Sequence, residues 1–153
     1  MSFKDEERVF IAGAGPVGLA AAANLVRQNI PVTVFEASEE LSRQSRASTF
    51  HPPTLDMLDA LGFAQPLIAQ GLIAPTVQYR TKADGMLGVF DFGAIADLTR
   101  HPYRLQAEQF KLTHIIHDTL KDNPLYRVEF GKPVVGLSQA ADGGDVEIGG
   151  ASP

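Results

Sequence analysis

Hydrophobic and polar positions along the chain change period from segment to segment, and each change marks an element. Val9, Phe10 and Ile11 are a short, wholly apolar run of β-prone residues, which suits a parallel strand covered on both faces. The alanine-rich run from Leu19 to Leu25 favours a helix, Asn29, Ile30 and Pro31 end it, and Val32 to Phe35 form a second β-prone run closed by Glu36. From Ala37 to Ser48 the chain turns polar and reads as a loop. Leu55, Met57, Leu58 and Leu61 then predict a short amphipathic helix stopped by Gly62. Ile73, Val77 and Tyr79 suggest one strand, Ala83-Asp84-Gly85 a turn and Leu87 to Phe92 a returning strand, so residues 74 to 104 form an antiparallel excursion. A helix from about Gln106 to Leu120 places Leu112, Ile115, Ile116 and Leu120 on one face. Tyr126 to Phe130 alternates and is expected to return as a strand of the first sheet. Pro133 to Gln139 and Asp145 to Ile148, joined by Ala141-Asp142-Gly143-Gly144, read as a hairpin.

The first of these segments carries chemistry. Between the two β-prone runs, Gly13 can take the backbone angles of a tight turn, and Gly15 lacks the Cβ that would hold a pyrophosphate away from the main chain. Pro16 fits the first turn of a helix, where its missing N–H would have no partner, and Gly18 lets the helix lie close to the strand. A diphosphate at that helix start meets N–H groups and the positive end of the helix dipole, contacts that contribute about 0.3–1 kcal/mol each. Glu36 stands eighteen residues after Gly18 at the C-terminal end of the second strand, placed to accept hydrogen bonds from both ribose hydroxyls of an adenosine. Its charge would repel a 2′-phosphate, so the tight ligand is expected to be FAD or NAD and not NADP. Val9 to Val26 is also eighteen residues without a charge, but three glycines, a proline and Asn24 make a poor membrane-spanning helix.

Composition adds exclusions. The chain of 153 residues is 44% hydrophobic and 20% charged, an ordinary globular balance, with one domain as the prior. A net charge of −5 gives no footprint of a nucleic-acid binder. The absence of cysteine excludes disulfides, thiol catalysis, thiolate zinc sites and thioether-linked flavin, and is compatible with a reducing compartment. The start, MSFKDEER, mixes both charges without a small-residue cleavage site, so a cytoplasmic protein is expected.

Other polar residues divide between site and surface. Arg43 and Arg46 lie just beyond the second strand, where a guanidinium reaches a phosphate oxygen or remains solvated charge. His51, ahead of two prolines, fits a turn or capping role rather than catalysis. Asp91 and Asp97 read as surface or turn residues. His114 and His117, with Asp118, have helical spacing on the side opposite the apolar stripe; without a fourth ligand they read as a solvated face, and no metal is expected. Gln109 sits beside the buried stripe near the helix start.

The opening GAGPVGLAAAANL, the strand ending in Glu36 and the run SRASTFHPPTLDMLDALGF together resemble the N-terminus of the FAD-dependent aromatic hydroxylases, the group of p-hydroxybenzoate hydroxylase. Pro16 after the second glycine and Arg-Ala-Ser at 46 to 48 are the distinctive parts, and Gln-x-x-Leu-Thr at 109 to 113 resembles the family motif whose glutamine hydrogen-bonds FAD. The resemblance implies FAD contacts from Gly13, Gly15, Pro16, Val17, Gly18, Glu36, Arg46 and Gln109, NAD(P)H as co-substrate, and hydroxylation of a small aromatic substrate with dioxygen. No catalytic residue is named by it.

The expected fold is α/β, an FAD/NAD(P)-binding Rossmann-like parallel sheet of the glutathione-reductase type with β-hairpin additions, incomplete. Residues 1–73 are read as the FAD-binding core and following helix, 74–104 as an antiparallel excursion resembling the start of the substrate domain, and 105–153 as the FAD-binding domain continued. The family's Asp-Gly motif and later Gly-Asp motif are not reached, so the expectation is a fragment, a truncated product or half of a split protein, inactive alone. Under-covered sheet edges imply a C-terminal half or a homo-oligomer as partner. Two other readings stay open: an NAD-dependent dehydrogenase, and a non-catalytic interaction module that keeps a nucleotide fold.

Overall fold

The structure is a computed structural model and describes residues 8–141 and 143–150. In chain order the elements are β1 (Val9–Ala12), α1 (Pro16–Arg27), β2 (Val32–Phe35), β3 (Thr49–Phe50), α2 (Pro52–Ala60), α3 (Ala64–Ile68) and β4 (Leu72–Ala74). They continue with β5 (Thr76–Thr81), β6 (Gly85–Asp91), a 3-10 turn (Phe92–Ile95), β7 (Arg104–Gln106), α4 (Gln109–Leu120), β8 (Tyr126–Glu129), β9 (Val134–Ala140) and β10 (Gly143–Ile148). They form two compact units: one from the described residues up to Gln44 and from Thr113 onward, the other Ser45–Leu112. Residues 73 and 104, the expected turning points, both fall inside the second unit.

In the first unit β2 lies between β1 and β8 and runs parallel to both, with Val9 opposite Val32 and Val32 opposite Tyr126. The returning strand expected at Tyr126 is therefore present. All four residues of β2 are buried. Thr33 tolerates this because its hydroxyl accepts from Arg8 Nε at 2.9 Å, and Arg8 Nη2 donates to the carbonyls of Val32 at 2.6 Å and Leu125 at 3.0 Å. α1 packs against β1 and β2 through Leu19, Ala22, Ala23 and Val26, all buried and spaced for one helical face. It stops where Asn29 enters the left-handed region at φ 61, a conformation asparagine tolerates, and Ile30 N–H returns to the Leu25 carbonyl at 3.0 Å. β9 and β10 form the expected antiparallel hairpin, although Asp142, expected in its turn, lies outside the described residues.

Two expectations for the long helix are corrected. It begins at Gln109 and not at Gln106, because Arg104, Leu105 and Gln106 are taken by a strand ladder. His117 is not on a solvated face: it is half-buried, with ring centroids 5.9 Å from both Tyr126 and Phe130 and its Nδ1 3.1 Å from the Tyr126 hydroxyl. Desolvation lowers the His117 pKa, Asp118 pulls the other way, and burial raises that of Tyr126.

The second unit holds two small sheets. β7 is antiparallel to both β3 and β4, with Phe50 and Ile73 each opposite Leu105, while β5 and β6 form a separate antiparallel hairpin. The single strand expected through Ile73, Val77 and Tyr79 is thus two strands in different sheets, divided at Pro75, which has no N–H to give a ladder. α2 buries Leu55 and Leu58 but leaves Met57 61% exposed, so Met57 is not part of the apolar face. His51 is the N-cap of α2, yet its side chain makes no capping bond; its carbonyl accepts from Thr54 and Leu55 N–H at 3.0 Å each. Gly62 ends the segment at φ 85. His101, unremarkable in the sequence, is buried, and its Nδ1 lies 2.8 Å from Asp56 Oδ1. That hydrogen bond, followed by one from Thr99, holds the Asp56 carboxyl below its ordinary pKa.

A half-buried histidine with a lowered pKa resists protonation in the folded state and accepts a proton readily when unfolded. Its contribution is complete above the ordinary histidine pKa of about 6.5 and is lost as pH falls through the lowered folded value. Denaturant midpoints measured from pH 8 to pH 5 are expected to fall toward acid for the natural chain and to fall less for His117→Phe.

Candidate cofactor-binding site

β1 hands the chain to α1 through three residues, Gly13, Ala14 and Gly15, and the helix start beyond them is constrained as well. Gly13 sits at φ 96, closed to most side chains, and its N–H donates to the Phe35 carbonyl at 2.7 Å. Gly15 is the N-cap of α1, and a Cβ built on it would meet no atom within 4 Å. Pro16 is the first helical residue, and Val17 is 82% exposed beside it. The first helical hydrogen bond runs from Leu19 N–H to the Gly15 carbonyl at 2.9 Å, so the amides of Val17 and Gly18 precede the helix's own ladder. At Gly18 a Cβ would overlap the Gly13 carbonyl oxygen and stand 3.2 Å from Ile11 Cγ2. The absence of that Cβ sets how closely helix and strand approach.

Glu36 faces this turn from the end of β2. Its Oε2 accepts from Ala14 N–H at 2.8 Å and its Oε1 from Ser38 N–H at 3.0 Å. Partial burial works against ionisation, but the Ser38 and Ala14 amides, with help from the Ser38 hydroxyl and the Ala37 amide, outweigh it and lower the pKa. A carboxylate offers about four lone-pair sites. The two backbone amides use one on each oxygen.

Sequence reasoning missed what holds Glu36 from its other side. Glu36 N–H donates to the Glu129 carbonyl at 2.9 Å, the Glu36 carbonyl accepts from Lys132 N–H at 2.8 Å, and the Ser38 carbonyl accepts from Gly131 N–H at 2.9 Å. Gly131 is at φ 62, and a Cβ there would stand 2.7 Å from Glu39 Oε1. A glycine directly after the returning strand was the available signal.

Gly13, Gly15, Pro16, Val17, Gly18 and Glu36 therefore converge within the first unit. Arg46 and Gln109 belong to the second, where they too are brought together from distant positions. Arg46 is exposed in a bend, and the following carbonyls of Ala47 and Ser48 accept from Gln109 N–H at 2.8 Å and Ala107 N–H at 3.0 Å. Gln109 is the half-buried first residue of α4. Asp91 has the turn role expected of it, accepting from Gly93 N–H at 2.8 Å, and Asp97 is exposed. Among the described residues no group of three or more His, Cys, Asp or Glu is placed to hold a metal ion, and no helix is long and apolar enough to cross a membrane.

A glycine turn between a parallel strand and a helix, with an acidic residue capping the neighbouring strand, defines a dinucleotide-binding α/β domain. The antiparallel pair β9–β10 after the parallel strands departs from a plain alternation of strands and helices. The chain belongs to the FAD binding domain family, whose sequence profile matches residues 6–151. It is 33% identical to 6-hydroxy-3-succinoylpyridine 3-monooxygenase of Pseudomonas putida over 100% of this chain and 38% of that protein. It is 30% identical to para-nitrophenol 4-monooxygenase of a Pseudomonas species over 95% of this chain and 36% of that one. The crystal structure of p-nitrophenol 4-monooxygenase from Pseudomonas putida superposes with a TM-score of 0.89 at 28% identity, covering 94% of this chain and 36% of the other. The chain thus spans little more than a third of the length of these relatives.

Gly15, at the end of the turn, and Gly18, inside α1, are expected to respond differently to one added methyl group. Gly18→Ala forces β1 and α1 apart and is expected to cost about 1–3 kcal/mol in urea unfolding. Gly15→Ala meets open space at an ordinary backbone angle of φ −73, and its unfolding midpoint is expected to stay within about 0.5 kcal/mol of the natural chain.

Proposed function

We propose that the chain is the FAD-gripping portion of an FAD-dependent monooxygenase that hydroxylates a phenol-type aromatic ring with NAD(P)H and dioxygen. The observation that carries this reading is Glu36: an ionised carboxylate held by the Ala14 and Ser38 amides at the end of the central strand. Such a group suits a cis-diol, and its charge disfavours a 2′-phosphate. The family to which the chain belongs and the monooxygenase names of its relatives support the reaction class.

The residues fit the cofactor. Val17 and Gly18 amides would receive the pyrophosphate, with Gly13 and Gly15 leaving it room, while Pro16 starts the helix without spending a donor. Glu36 would hold the adenosine ribose. The family resemblance adds Arg46 and Gln109 as further FAD contacts; within the second unit the Gln109 amide donates to the Ala47 carbonyl. Bound FAD supplies the exchange of reducing equivalents and the activation of dioxygen. The contribution of this chain is to bind, orient and exclude water. Substrate turnover would require polypeptide equivalent to the remaining two thirds of the relatives, so the 153 residues by themselves are expected to show no substrate-stimulated NAD(P)H oxidation. With no cysteine in the chain, a reducing compartment such as the cytoplasm suits it.

The direct test is a titration of FAD into the purified chain, followed by flavin fluorescence and repeated with NAD. Saturable binding that prefers FAD is expected, weakened by about 1–3 kcal/mol in Glu36→Ala. A folded chain with no affinity for FAD would overturn the reading. Gly15→Ala is expected to weaken FAD while leaving the fold intact, since its methyl group occupies the space a diphosphate needs.

A further inference from the structure

The segment that carries Arg46 lies ahead of its strand. β3 begins only at Thr49, and Arg46, Ala47 and Ser48 are exposed. Two main-chain bonds hold the segment from the far end of β7, Ala107 N–H to the Ser48 carbonyl at 3.0 Å and Gln109 N–H to the Ala47 carbonyl at 2.8 Å. A side chain adds a third. Thr49 and Gln106 are ladder partners, and with the Gln106 amide turned so that each polar atom meets its complement, its nitrogen donates to the Ser48 carbonyl at 2.7 Å and to Thr49 Oγ1 at 2.9 Å. Its oxygen accepts at 3.1 Å from Nη2 of Arg104, which alternation places on the same face of β7.

Each member of this chain of bonds needs its own residue type. Position 106 calls for a side chain that donates to two oxygens at one end and accepts from a cation beside them. A carboxylate cannot donate, lysine and arginine cannot accept, and asparagine is one methylene shorter. Glutamine meets every demand. Arginine at 104 keeps its charge, and with its Nε buried and without a partner among the described residues, its bond to Gln106 is directed inward. A positive group on the amide oxygen polarises the amide, which makes its N–H a stronger donor to the Ser48 carbonyl.

The geometry points to Gln106, polarised by Arg104, as the positioning residue that sets the Arg46-Ala47-Ser48 segment for cofactor binding. It touches no cofactor itself. By fixing the Ser48 carbonyl, two residues past Arg46, it limits where the Arg46 guanidinium can reach. The assignment rests on the FAD contact proposed for Arg46 and deepens it, because a side chain outside the nucleotide motifs then shares in the affinity. Without the Gln106 amide the two main-chain bonds and the β3–β7 ladder remain, so the sheet persists while the segment ahead of it gains freedom.

The test is a double-mutant cycle on FAD affinity, read by flavin fluorescence in the 153-residue chain, with circular dichroism on the same samples. Gln106→Leu and Arg46→Ala are each expected to weaken FAD about tenfold. Combined, they should weaken it by about the same tenfold and not about a hundredfold, because both changes remove one contact. Glu36→Ala belongs to the other unit, and its effect should instead multiply with that of Gln106→Leu. Gln106→Glu keeps the length and the bond to Arg104 but sets an acceptor against the Ser48 carbonyl; it should weaken FAD as leucine does, and it serves if Gln106→Leu fails to fold. Losses from Gln106→Leu and Arg46→Ala that multiply would leave Gln106 a structural residue and overturn the assignment, as would unchanged FAD affinity in either folded Gln106 variant. FAD binding that responds to Glu36→Ala but not to position 106 would sink this assignment alone, whereas a folded natural chain that fails to bind FAD would sink the broader reading.

Discussion

The Glu36 carboxylate is the fixed point of the nucleotide-binding unit. It joins the turn after β1, through Ala14 N–H, to the loop after β2, through Ser38 N–H. The Glu36 main chain joins the same loop to the end of β8, through Glu129 and Lys132. Three strand ends that would each leave loose backbone groups are thus closed around one residue. The lowered pKa is the electrostatic face of this arrangement, because amides gathered to satisfy a carboxylate also favour its charged form. The residue proposed to hold the ribose is also the residue that organises the loops around it.

What the sequence made legible was what depends on local backbone demands. Gly13 at φ 96 and Gly18 against the Gly13 carbonyl are positions where the fold itself demands glycine, while Gly15 leaves open space beside the helix start, so the motif states much of its own geometry. β2, buried along its whole length, could be read from an unbroken β-prone run. The FAD family followed from those residues and from the Arg-Ala-Ser segment.

What stayed hidden depends on pairing across distance. Gln106 looks helical until β3 and β4 are known to flank it. Ile73 and Val77 share an alternation that crosses Pro75, and only tertiary pairing assigns them to different sheets. His117 resembles a solvated residue until Tyr126 and Phe130 close on it, and His101 acquires meaning only beside Asp56. Arg104 Nε, buried with no hydrogen-bond partner among the described residues, is the plainest instance, since that is a property of surroundings and not of residue type.

The strap made by Arg8 has a consequence for how the molecule comes into being. It reaches Leu125, 117 positions away, and the β2–β8 pairing it braces closes a segment of comparable length. Closing a flexible loop of that size carries an entropic penalty on the order of 4 kcal/mol before any contact compensates it. The second unit, Ser45–Leu112, lies wholly within that loop. During synthesis the central strand of the nucleotide sheet must therefore wait, one edge unpaired, while the inserted unit emerges and has time to fold. An early collapse of Ser45–Leu112 shortens the effective loop, so the inserted unit can act as a template in time for the site that precedes it in sequence.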